Sequence, residues 1–189
     1  MQVRGAAAVL AVALLIGGCS GDDQGPVAAS PEATATATPV GVRCSDGTGD
    51  SADPSLDLFG VRLARSGKNI RVVFDESQTP GDSPVSWVVG LVSADGKHSV
   101  QLTADLRSNG DIAHAITVDD DVRPVSDPVR ITAEGMTTLF PVKPIDALGR
   151  GVLWYATLSL DGQEIDYCPG GAELREVLDI VPLALPDHW

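Results

Sequence analysis

From Leu56 to Cys168 apolar residues recur at every second position, in short runs closed by glycine-containing turns. A chain whose side chains alternate between two faces buries the apolar face by pairing strands. Leu56 and Leu58 share one parity, and Val61 and Leu63 take the other. The switch at Phe59-Gly60 predicts a β-bulge. After the turn Ser66-Gly67-Lys68-Asn69, the residues Ile70, Val72 and Phe74 line one face. Val85 to Val92 is nearly continuous apolar sequence and reads as a central strand. Asp95-Gly96, Asn109-Gly110 and Asp161-Gly162 are hairpin pairs, because both residue types tolerate positive φ. Val100 and Leu102 return from the first of these pairs. Ile112, His114, Ile116 and Val118 form the next face. Val129 with Ile131, then Met136, Thr138 and Phe140, flank Glu134-Gly135. The longest face is Val152, Trp154, Ala156, Leu158 and Leu160, with Gln163 to Cys168 as its return strand. Ile145 to Leu148 is long enough for one helical turn. Leu174, Val177, Leu178 and Val181 sit at helical spacing, so residues 172–181 read as a short C-terminal helix or an extended strap. The expectation is all-β: a two-sheet antiparallel β-sandwich of about nine strands, with a closed barrel as the alternative. Nothing repeats at a fixed period, which argues against a solenoid or propeller.

The N-terminus follows a different logic. Arg4 is followed by the eleven-residue apolar run Ala6–Ile16, too short to span a bilayer and of the length of a signal-peptide core. The run ends in Ile16-Gly17-Gly18-Cys19-Ser20. This ending resembles the lipobox of bacterial lipoproteins. The resemblance implies diacylglyceryl modification of Cys19, cleavage before it, and acylation traceable with palmitate. Residues 1–18 are then a removed leader. Residues 19–43, rich in Pro, Ala, Thr, Ser and Gly, bury too little apolar surface to fold and read as a disordered tether, with Thr-Ala repeats as candidate O-glycosylation sites. Extended at about 3.1 Å per residue, the tether reaches roughly 60–70 Å. Residues 44–189 form the body. The expected location is the outer face of the bacterial cell membrane, held by two acyl chains.

Charge narrows the partners. The chain carries 26 acidic against 13 basic side chains, a formal charge of −13, which becomes −14 once Arg4 leaves with the leader. Nucleic-acid binding needs clustered Lys and Arg and is not expected. An anionic membrane is expected to repel such a body, so the lipid holds it there and its charge does not.

In the body, Asp53-Pro54-Ser55-Leu56-Asp57-Leu58, Leu139-Phe140-Pro141 and Leu153-Trp154-Tyr155 are similar to segments of DOMON-like and carbohydrate-binding-like sandwich domains. Those families include haem- and sugar-binding members, and the resemblance implies a sandwich. A haem site there uses Met and His as axial ligands. This body has one Met and three His, so no haem site is carried over.

Cys44 and Cys168 remain after Cys19 is assigned to the lipid. An even pair outside the cytoplasm, with no CxxC spacing, predicts a structural disulfide; a redox pair or half a metal site is the alternative. Asp46, Thr48, Asp50 and Asp57 fall at positions 1, 3, 5 and 12 of a calcium-loop pattern. Ser51 stands where that pattern has Gly and Asp57 where it has Glu, so a solvated turn competes with calcium. Asp119-Asp120-Asp121 reads as a turn between strands. His114 alternates with Ile112 and Ile116 and reads as a hydrogen-bonded core or edge histidine; His98 and His188 read as exposed and mobile respectively. No GxSxG, SxxK, P-loop or GxGxxG occurs. Trp87 and Trp154 lie in apolar strands and read as core, while Tyr155, of opposite parity, is the better exposed ring. Trp189, at the end of the sequence, docks or dangles.

The expected function is a non-catalytic, membrane-anchored binding module whose partner is a protein, a wall polymer or a small ligand. One alternative is an envelope hydrolase with its site around His114. The other is a calcium- or carbohydrate-binding module. No resident cofactor is expected apart from that calcium.

Overall fold

The computed structural model describes residues 41–170 and 183–186. Twelve strands among these residues form two antiparallel sheets packed into a β-sandwich. The five-stranded sheet runs β1 (Gly41–Ser45), β2 (Leu58–Ser66), β3 (Asn69–Glu76), β9 (Gly135–Pro141), β8 (Arg130–Thr132). The second sheet runs β11 (Gln163–Cys168), β10 (Leu153–Leu160), β4 (Val85–Val92), β5 (Ser99–Leu106), β6 (Ile112–Val118), β7 (Asp121–Pro124). Its seventh strand, β12 (Leu183–Ala184), pairs with Leu153 and Trp154 of β10. The only helix among the described residues is the turn α1 (Lys143–Asp146).

Alternation along each strand puts one set of side chains between the sheets. Leu63, Ile70, Val72 and Phe74 face Trp87, Leu91, Leu102 and Trp154 across an interior in which each is at most 1% exposed. The bulge falls where the parity switch put it, as a register shift between Leu58 and Gly60. Gly60 has φ 155°, and a Cβ there would lie 2.6 Å from the Cys44 carbonyl oxygen. The missing side chain is what lets β1 pair with β2 at this point.

Polar groups tie the sheets together as well as apolar packing. The Cys44–Cys168 disulfide joins β1 to β11, with Cα atoms 5.9 Å apart. The Leu58 amide of β2 donates to Asp166 Oδ2 of β11 at 2.9 Å. The Trp87 indole of β4 donates to Glu76 of β3.

Three strands exceed the expected nine. β1 begins at Gly41, inside the segment assigned to the tether, because Val42 and Cys44 pair with Leu63 and Val61 of β2. β7 follows a tight turn at Asp119 and Asp120, which have φ 44° and 75°. β12 is a two-residue pairing too short to leave a periodic signal. The helix-or-strap segment 172–181 lies outside the described residues, as do Cys19, the leader, residues 19–40 of the tether, His188 and Trp189.

Candidate functional site

Among the described residues, the loop between β1 and β2 carries the densest unusual chemistry. Asp57 is buried and fixes the loop from within: its Oδ2 accepts from the Gly49 amide at 2.7 Å and its Oδ1 from the Ser51 amide at 3.3 Å. Ser51 Oγ donates to the Leu56 carbonyl at 2.8 Å, and the Ala52 amide donates to the Ile165 carbonyl at 2.8 Å. The loop is thereby stapled to β11. This brings Asp46 and Asp50 to Asp166, with one carboxylate oxygen from each all within 4.8 Å of one another.

Asp166 is fully buried, and its two oxygens accept from the Leu58 and Tyr167 amides, each at 2.9 Å. Desolvation raises its pKa, against those two hydrogen bonds. Asp46 is pushed up to about 8, first by desolvation and then by the charges of Asp166 and Asp50. Asp46 Oδ2 and Asp50 Oδ1 are buried and have no hydrogen-bond donor. Such oxygens are costly unless a proton or a cation satisfies them.

The expected calcium set is therefore split. Asp46 and Asp50 converge, Thr48 is exposed, and Asp57 holds backbone amides instead of joining the carboxylates. The third carboxylate, Asp166, comes from a strand 116 residues after Asp50, so no local spacing links it to the loop. It did leave a signal: it shares parity with Cys168, so it points inward, where an acid is unusual.

His114 is engaged on both ring nitrogens. Nδ1 lies 3.1 Å from the Asp127 carbonyl oxygen and Nε2 lies 3.1 Å from Thr138 Oγ1. The ring packs edge-on against Phe140, with centroids 4.3 Å apart. Burial lowers its pKa. With Nδ1–H donating to the carbonyl, Nε2 accepts from the threonine hydroxyl, and neutral imidazole joins β6 to β9. His98 is exposed and lies 3.0 Å from Asp119 Oδ2. Trp87 and Trp154 are buried, and Tyr167 is 4% exposed with its hydroxyl donating to Glu164. Tyr155 is half-buried over Gly90, where a Cβ would come within 2.4 Å of its ring. The aromatics thus serve mainly the interior, and a multi-ring sugar platform does not form among the described residues.

No protein-family model, curated protein or solved structure matches this chain.

Proposed function

We propose that this protein is a non-catalytic binding module, lipid-anchored through Cys19 on the outer face of a bacterial membrane, with a tether that sets the sandwich off the bilayer. The observation that carries this reading is where the reactive side chains are used. Cys44 and Cys168 are joined to each other, and both nitrogens of His114 are engaged, Nδ1 with the Asp127 carbonyl of the β7–β8 loop and Nε2 with Thr138 of the opposite sheet. A hydrolase built around His114 would need at least one free nitrogen facing a substrate-sized hollow. Recognition is left to the outer faces and loops of the sandwich. Crosslinking of intact cells followed by identification of the captured species tests this. One wall polymer or protein recovered in proportion to the bait supports it. Recovery that merely follows the abundance of envelope components contradicts it.

A second reading has its own support. Hard divalent cations take carboxylate oxygens, and the two donorless oxygens of Asp46 and Asp50 beside Asp166 fit that chemistry. Calcium there would clamp the β1–β2 loop to β11. Thermal unfolding in millimolar calcium should then rise by several degrees in the wild type and not in Asp166→Asn. Equal melting with and without calcium rejects this reading.

A further inference from the structure

The protein's net charge hides an opposite local charge. In the five-stranded sheet, alternation sends Arg43, Arg62, Arg71 and Arg130 to the outer face. The register fixes their neighbours: Arg43 pairs with Arg62, Arg62 with Val73, Val73 with Thr137, and Thr137 with Arg130. Ala64, Arg71 and Leu139 form the adjoining row. All four arginines are exposed. The acid in this array is Asp75, which accepts from Arg62 at 2.8 Å and lies 3.9 Å from Arg43. Arg71 and Arg130 have no ion pair among the described residues. The outer face of the other sheet carries Asp105 and Glu164 at outward positions. Charge is thus polarised across the sandwich.

We propose that the arginine-bearing face of the five-stranded sheet docks on the anionic phospholipid headgroups of the membrane that holds the anchor. This rests on the lipid-anchor reading above. Two observations choose this occupant. Guanidinium groups match phosphate geometry, and here they alternate with Val73, Ala64 and Leu139 across a broad face, where Arg43, Arg62 and Arg71 line one open, headgroup-sized hollow and Arg71 and Arg130 line another. The tether also joins the body at Gly41, which pairs with Ala64 in the Arg71 row, so the segment 19–40 leads into the edge of this face. Net negative charge repels the body at a distance. Within a Debye length of about 8 Å at physiological salt, however, the nearest charges decide, and on this face those are arginines.

The test uses the full-length lipidated protein reconstituted into vesicles of phosphatidylcholine alone, or with a third of phosphatidylglycerol. Arginines are modified with phenylglyoxal and mapped by mass spectrometry. Arg43, Arg62, Arg71 and Arg130 should react several-fold more slowly on the anionic vesicles. Arg107 and Arg123, both exposed and in or beside strands of the other sheet, should react equally on both. High salt, or the double substitution Arg71→Glu with Arg130→Glu, should remove the protection of Arg43 and Arg62. Equal rates on the two vesicles overturn the proposal. Flotation separates it from the anchor reading. A protein that floats on neither vesicle fails both, and one that floats only on anionic vesicles, reversibly with salt, keeps the docking face and loses the anchor.

Discussion

Glu76 continues the inward parity of Ile70, Val72 and Phe74, so an acid stands where the strand pattern asks for an apolar side chain. It is 4% exposed, and the Trp87 indole donates to one of its oxygens while the other has no donor. Burial pushes its pKa up to about 8, against the lowering effect of the indole and with the charge of Asp75 adding to the rise. The folded protein therefore keeps a proton that the unfolded chain releases near 4.5. Its contribution is fully present below that lower value and is lost as pH climbs to about 8. Denaturant unfolding at pH 5 and pH 8 should show the wild type less stable at the higher pH. Glu76→Gln should flatten the dependence and be more stable than wild type at pH 8 by roughly 1–3 kcal/mol. Asp46 adds a slope of the same sign, so the difference between wild type and variant isolates Glu76. Identical pH profiles for the two proteins would refute this assignment.

Among the elements, β1 and β11 depend most on a single bond. Each lies at an edge of its sheet, and the disulfide joins them across the sandwich at a sequence separation of 124. Loop closure of that size stabilises a fold by up to about 5 kcal/mol in the chain-entropy model. Reduction, or Cys44→Ala with Cys168→Ala, should lower the melting temperature markedly and expose the Asp46–Asp57 loop to proteolysis. Unchanged melting under reducing conditions would show that the strands hold without it. The same elements mark what could be read from the chain. The long strands, the Phe59-Gly60 bulge and the Gly-based hairpins follow from alternation and turn chemistry, which are local. β7 was missed because its turn is made by Asp119 and Asp120, both at positive φ without a glycine. Asp166 was missed as a partner of Asp46 because sheet packing, not spacing, brings them together.

At the scale of the molecule, two sheets share one largely apolar interior, crossed by the Trp87–Glu76 and Leu58–Asp166 hydrogen bonds. The carboxylate group sits beside the disulfide, while the arginines cover the outside of the five-stranded sheet. That arrangement suits the proposed role, in which the body presents surfaces and the N-terminal segment carries the anchor. The claim on which this account rests is the anchor at Cys19. Cells expressing the protein should incorporate labelled palmitate into it, and the membrane fraction should contain it. Cys19→Ala should abolish the label and release the protein from that fraction. Wild-type protein without label, or equal labelling of the Cys19→Ala variant, would contradict the account.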